Sequence, residues 1–264
     1  MFKMPHQLSS TTNRVVIHTG NILCIDEVKR KAVQNPTEEL VESLTYVLHQ
    51  KQSSINQPAA SIVINEDDDY KSLKLCEPEC RKDVKVSAKI FVSDFDRNKV
   101  QEALNAGLLS LKTPYIESVV LALKAGEPTS LEILKQLWET LEDFVLKKQV
   151  YSIGVSDIET DTFVSLYEWA KVKPGIVQIN LAHCCVVPPA LQEFTKAHDI
   201  QLLTHGDPPD VLPNQIANEL ITGTAPPDSD ESSSLKFIWA IRYQVHIKCR
   251  GVLTSKGYIM LLEK

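Results

Sequence analysis

Short apolar runs and amphipathic stretches alternate through the second half of this chain, and nothing else in the sequence restricts its fold as much. Residues 150–155, 176–181 and 200–204 read as strands, and residues 161–171 and 188–198 read as helices, the second opening on Pro188. A strand joined to the next through a helix runs parallel to it, so repeated strand–helix units define a parallel α/β architecture. The pattern reaches back toward the N-terminus. Residues 85–92 and 115–123 are strand-like, the latter nearly unbroken in apolar residues, as expected of a strand covered on both faces. Between them, residues 96–111 carry Val100, Leu104 and Leu108 at helical spacing. The best-signalled helix spans residues 129–148. Thr129 and Glu132 have the spacing of a capping box, Leu134, Leu137, Trp138, Leu141 and Phe144 lie on one stripe, and Lys147 and Lys148 suit the negative helix pole.

Residues 14–17 and 21–25 flank the turn signal Thr19-Gly20-Asn21 and predict a first strand or a hairpin. Asn35 is placed to cap a helix with Pro36 at its first position and Leu40, Val41, Leu44, Val47 and Leu48 on one face. Residues 60–64 read as a strand, followed by Glu66-Asp67-Asp68-Asp69, whose mutual repulsion favours a solvated loop. Residues 206–234 hold five prolines and the run Asp228-Ser229-Asp230-Glu231-Ser232, so they read as a flexible excursion. After it, residues 235–245 are expected to form a helix with Phe237, Ile238, Ile241 and Tyr243, and residues 251–254 a short last strand. The 264 residues divided among eight strand–helix units give 33 each. One (β/α)8 barrel typically needs ~250 residues, so the length fits one such barrel or two smaller domains. The order of the units favours a single barrel domain over residues 1–264.

Charge and cysteine content narrow the function classes. With 34 acidic and 28 basic residues the net charge is -6, which offers no long-range attraction to nucleic acid or to an anionic membrane. The first ten residues lack a secretory apolar stretch, and the longest aliphatic cluster, residues 119–123, is too short to span a bilayer, so a cytoplasmic protein is expected. Six cysteines without a leader read as thiols. Cys76 and Cys80 have a loose ligand spacing and His183-Cys184-Cys185 adds donors, but no second pair completes a zinc site, and no metal is expected. His183 and His205 sit near strand ends, where a histidine is an ordinary hydrogen-bonding group more often than a ligand. The segment Ser152-Ile153-Gly154-Val155-Ser156-Asp157 ends a strand in small and polar groups, suited either to meeting a ligand at a barrel rim or to a tight turn.

Several of these segments carry a family resemblance. Tyr151-Ser152-Ile153-Gly154-Val155-Ser156-Asp157, Gln178-Ile179-Asn180, Asp199-Ile200-Gln201-Leu202-Leu203-Thr204 and Ala240-Ile241-Arg242-Tyr243-Gln244 resemble successive stations of the aldo-keto reductase barrel. Within that superfamily, Val84-Lys85-Val86-Ser87-Ala88-Lys89-Ile90-Phe91-Val92, Tyr167-Glu168-Trp169-Ala170-Lys171, Leu181-Ala182-His183-Cys184-Cys185 and Leu253-Thr254-Ser255-Lys256-Gly257-Tyr258-Ile259 are similar to the regulatory (modifier) subunits of glutamate–cysteine ligase. The resemblance spans about residues 14–259.

The resemblance implies a single (β/α)8 TIM barrel of aldo-keto reductase type and raises the question of catalysis. The reductases use an Asp, Tyr, Lys and His tetrad with NADPH as hydride donor. Lys89 matches the tetrad lysine, but Leu121-Ala122-Leu123-Lys124 offers no histidine, and Asn65 stands where an aspartate belongs before Tyr70. Catalytic residues are therefore expected to be absent, with Lys89 vestigial. Ser156 and Gln178 match positions that hold the nicotinamide carboxamide, and Lys256 matches the lysine that meets the adenosine phosphate. Against these, Asp157 replaces an asparagine, and the region of His205 lacks the stacking tyrosine. The sequence ends at Lys264, eight residues after Lys256, so a barrel lacking the C-terminal cofactor-binding helix is expected. No cofactor is expected, NADPH being the one the remnants suggest. The implied role is a non-catalytic regulatory subunit whose partner is the glutamate–cysteine ligase catalytic subunit, improving glutamate use and relieving glutathione feedback inhibition. The alternative is an NADPH-dependent carbonyl reductase with a degenerate active site. Candidate interfaces are the acidic loop after residue 65, the 206–234 excursion and, preferred, a surface around Tyr258 and Ile259; Cys184, Cys185 or Cys249 are candidates for an intersubunit contact.

Overall fold

A computed structural model describes residues 12–26, 35–51, 59–65, 75–123, 130–180, 187–222 and 234–264. Strand–helix alternation of the (β/α)8 kind runs through it: β1 (Arg14–His18), α1 (Pro36–Gln50), β2 (Ser61–Asn65), α2 (Pro78–Lys82), β3 (Val84–Val92), α3 (Arg97–Ser110), β4 (Ile116–Leu123), α4 (Leu131–Leu146), β5 (Val150–Ser156), α5 (Thr160–Trp169), β6 (Ile176–Asn180), α6 (Pro189–Ala197), β7 (Gln201–His205), α7 (Asn214–Thr222), β8 (Lys236–Ile247) and β9 (Val252–Glu263). The strands form one mixed sheet in the order β2-β1-β9-β8-β3-β4-β5-β6-β7. β3 to β7 are mutually parallel, as are β1 and β2. The departure from a regular (β/α)8 pattern is the hairpin β8–β9, which inserts antiparallel between β3 and β1. No pairing of β2 with β7 is present among the described residues.

Local chemistry explains the elements. In α1 the Asn35 side chain accepts from Glu38 N and Pro36 opens the helix, so the first turn's free donor is satisfied and its φ preset. In α4 the cap is Ser130, which accepts from Ile133 N at 3.3 Å, rather than Thr129; the latter lies outside the described residues. Leu134, Leu137, Trp138, Leu141 and Phe144 are buried on one stripe of α4, and the Trp138 indole donates to Val172 O at 3.0 Å. Two cores result, one on each face of the sheet. The first gathers the stripes of α3 and α4 with residues of α5 and α6 against β3–β6, β8 and β9; the second places α1 and α7 against β1, β2 and the other face of β8 and β9.

Several expectations are corrected. Residues 235–245 are not a helix. Phe237, Trp239, Ile241, Tyr243 and Val245 are buried at alternate positions, a period of two that belongs to a strand, and residues 84–92 pair with this run along its length. The short last strand is the far longer β9. Residues 21–25 are not a strand: Asn21 caps a 3-10 turn, Ile22–Cys24, so β1 takes its antiparallel partner from β9 and not from a local hairpin. The 206–234 segment contains the ordered helix α7, with Val211, Leu212, Ala217 and Ile221 buried. The run 66–69, Tyr70, His183, Cys184 and Cys185 lie outside the described residues. Among the described residues no helix is long and apolar enough to cross a membrane.

Candidate functional site

The C-terminal ends of β3, β5, β6 and β7, with the middle of β8, bring one polar cluster together. Register does most of the placing. Lys89 on β3 stands opposite Arg242 on β8, Ser156 on β5 opposite Gln178 on β6, and Asn180 on β6 opposite His205 on β7. Facing partners share one side of a sheet, so two cations, Lys89 and Arg242, are forced side by side. Asp207, just beyond β7, supplies the counter-charge: its Oδ2 lies 2.8 Å from Lys89 Nζ and 3.0 Å from Arg242 Nη2. Its main-chain oxygen accepts from Asn180 Nδ2, which fixes the loop. The Phe91 ring lies against both cations, at 5.5 Å from Lys89 Nζ and 5.3 Å from Arg242 Cζ.

A second carboxylate completes the cluster. Asp157 adopts φ 59°, the left-handed region, and is held there by its amide donating to Gln178 O and its carboxylate accepting from Asn180 N at 2.8 Å. Asp157 Oδ2 is 2.8 Å from His205 Nε2, and Ser156 Oγ receives Lys89 Nζ at 3.0 Å. Burial works to push the Asp207 carboxyl up, but hydrogen bonds from His205 and Arg242 and the charge of Lys89 hold it well below the usual range. Asp157 is lowered in the same way, chiefly by His205 once burial is overcome. Burial pulls His205 down, yet hydrogen bonds to Asp157 and Asp207 leave it above its ordinary value. For Lys89 burial prevails over the attraction of Asp207, and its ammonium is lowered.

The arrangement limits the chemistry available. Ser156 Oγ is 2.9 Å from His205 Nε2, and His205 Nδ1 is 3.1 Å from Asp207 Oδ2, the outline of a nucleophile, base and carboxylate. His205 Nδ1 also accepts the Asp207 amide N–H at 3.1 Å, which leaves the ring proton on Nε2 facing the Asp157 carboxylate, so Nε2 offers no lone pair to take the serine proton. Lys89 is engaged by Ser156 and Asp207 and meets no described tyrosine. The Tyr243 hydroxyl donates instead to Gly20 O at 2.7 Å, and that of Tyr258 to Glu39 Oε1.

The residues expected to contact NADPH are divided. Ser156 and Gln178 are neighbours at the cluster. Lys256 is elsewhere, on β9, with its Nζ 2.6 Å from Glu39 on α1. Ser156 is already bound to Lys89, Asp157 and His205, while Gln178 Oε1 is buried with no partner among the described residues. As placed, Ser156 is committed to the cluster and Lys256 to Glu39, and the Gln178 amide oxygen is the one of the three expected contacts left open. Asp207 and Arg242 were missed by sequence reasoning; the available signal was Arg242 inside a strand-like alternation, a buried cation that demands an acid. The surface expected around Tyr258 and Ile259 is corrected: both are buried, at 1% and 0% exposure, because β9 is an interior strand. Among the described residues no group of three or more His, Cys, Asp or Glu is placed to hold a metal ion.

A model of the aldo/keto reductase family matches residues 64–222. The glutamate–cysteine ligase regulatory subunits of Homo sapiens and Mus musculus are each 34% identical over 258 residues, covering 94% of this chain and 92% of theirs. Aldose reductase from Giardia lamblia, a solved structure, is similar at 13% identity and a TM-score of 0.39, covering 75% of this chain and 66% of that one. This chain belongs to the aldo/keto reductase family and, within it, to the group of glutamate–cysteine ligase regulatory subunits.

Proposed function

We propose that this protein is a non-catalytic subunit that binds the catalytic subunit of glutamate–cysteine ligase in the cytoplasm, improves its use of glutamate and weakens its inhibition by glutathione. The observation that supports the non-catalytic half is Lys89, whose ammonium is paired with Asp207 at 2.8 Å and donates to Ser156 at 3.0 Å. A phenol left at its ordinary pKa of ~10 is a poor proton donor at neutral pH, so a reductase acid would need that lysine. The partner half rests on the regulatory relatives, whose similarity runs over 94% of the chain. Regulation of this kind requires this protein to bind one conformation of the catalytic subunit more tightly than another, since only differential affinity shifts substrate binding.

Gel filtration of the two purified chains, followed by assay of glutamate dependence, tests the reading. Co-elution with a lowered glutamate requirement is expected; separate elution with unchanged glutamate dependence would sink it. The unpartnered Gln178 Oε1 favours a second reading, an amide-bearing ligand such as NADPH at the same cluster. Fluorescence titration with NADPH separates the two, because quenching with oxidation of the cofactor in the presence of aldehydes would point to a working reductase.

A further inference from the structure

The end of the sheet opposite the Lys89 cluster carries a surface that the fold itself does not use. There the turns leaving α3 and α4 enter β4 and β5 side by side, joined by Ile116 N donating to Gln149 O at 2.9 Å. Three large apolar side chains stand out of these turns: Tyr151 is 55% exposed, Leu146 72% and Leu109 79%. Tyr151 is also braced from behind. Its ring packs at 4.8 Å on Tyr115, and Tyr115 is covered on its other side by Arg81 at 3.8 Å. Arg81 is buried and immobilised by five hydrogen bonds, two of them to Glu117. Tyr151 is thus a rigid aromatic ring with little rotational freedom left to lose on contact.

The same two turns are charged. Lys112, Lys147 and Lys148 are exposed in the same two turns and have no carboxylate partner among the described residues, in a chain whose net charge is -6. Lys112 and Lys148 both adopt positive φ, so the backbone of these turns is tight. Helix dipoles account for lysines at helix C-termini. They do not account for the exposed Leu109 and Leu146 at the ends of the two helices or for a braced tyrosine at the start of β5, and an aromatic anchor, apolar side chains and like charge on two adjoining turns are what a docking surface requires.

We infer that the α3–β4 and α4–β5 turns, centred on Tyr151, are the docking face for an acidic protein surface, that of the catalytic subunit. The inference rests on the proposed function for the partner's identity and adds where and by what chemistry it is held. The charges steer approach and weaken with salt, while Tyr151 supplies contact that salt does not screen.

Isothermal titration of the full chain with the purified catalytic subunit at low and high salt tests it. The Lys112→Glu/Lys147→Glu/Lys148→Glu triple should weaken binding by about tenfold or more at low salt, with the difference shrinking at high salt. Tyr151→Ala should weaken it by about tenfold at both. Glu159→Lys, exposed at the opposite end, should change nothing. Circular dichroism checks folding, and a Lys112→Glu/Lys148→Glu double, which leaves Lys147 over the core ring of Phe144 at 5.6 Å, remains informative where Tyr151→Ala is destabilised. Wild-type binding with both variants within about twofold of it overturns the docking assignment and leaves the proposed function standing. Failure of the wild-type chain to bind removes both, and so does binding to phosphatidylserine vesicles in place of the catalytic subunit.

Discussion

Replacing Asp207 by asparagine keeps its shape and removes the one charge that lets Lys89 and Arg242 lie side by side. Solvent cannot compensate: the side chains of Lys89 and Asp207 are only 6% and 4% exposed, and Arg242 16%. Breaking a buried pair by removing one partner costs about 3–5 kcal/mol, chiefly because the other charge is left uncompensated. Here two cations are left facing each other by register, so the upper half of that range is expected. Urea unfolding followed by circular dichroism measures the loss directly. A second variant isolates the cause. Lys89→Met in the Asp207→Asn background removes one stranded cation, and the cycle of single and double variants should show coupling of at least ~1.5 kcal/mol, beyond what independent sites give. A loss below ~1 kcal/mol for Asp207→Asn, or additivity within ~0.5 kcal/mol, would refute the idea that this carboxylate holds the cluster together. The stabilisation also has a pH signature. Because Asp207 is held below its unfolded value of ~3.9, its contribution is present above that pH and is lost as pH falls further.

Burial lowers His18 to about 4, so between pH ~6.5 and 4 the unfolded chain binds a proton that the folded one does not. Stability should fall by up to ~3 kcal/mol across that window, and His18→Gln should flatten the fall in urea titrations at several pH values. His205 acts with the opposite sign: its raised value means a contribution present below pH ~6.5 and lost as pH rises through the folded value, so stability should pass through a maximum near there. A Cβ at Gly257 would lie 2.1 Å from Gly20 O and 2.5 Å from the Tyr243 hydroxyl, against backbone that cannot yield; Gly257→Ala should cost at least ~2 kcal/mol in thermal or urea unfolding. Ser130→Ala removes the α4 cap and should cost ~1 kcal/mol by the same measurement. Lys89→Met should leave stimulation of the catalytic subunit intact in a glutamate-dependence assay, and loss of stimulation in a variant still folded by circular dichroism would refute a purely structural role for this lysine.

Sequence was most informative where structure is local. Strands β3 to β7 and the helices between them were readable because each helix stripe meets the strand next to it in the chain, as Leu134 to Phe144 show in α4. The hairpin β8–β9 was not readable for the opposite reason. Phe237, Ile238 and Ile241 can be matched to a helical face, and what makes this run a strand is its pairing with residues 84–92 and 252–263, both distant or unassigned when the run is read by itself. That misassignment hides two further features. With β8 taken as a helix, Arg242 has no defined neighbour, so the juxtaposition with Lys89 that demands Asp207 is invisible, although Lys89 and Ser156 themselves can be found from their motifs. With β9 taken as a short terminal strand, Tyr258 and Ile259 look exposed, whereas an interior strand buries them and turns Lys256 toward Glu39. Lys89 therefore sits inside an ion cluster whose partners come from the hairpin and the loop after β7. Substitutions within that cluster need not disturb the parallel strands that support it, and the opposite end of those strands, where Tyr151 packs on Tyr115 and Tyr115 on Arg81, can carry a separate task.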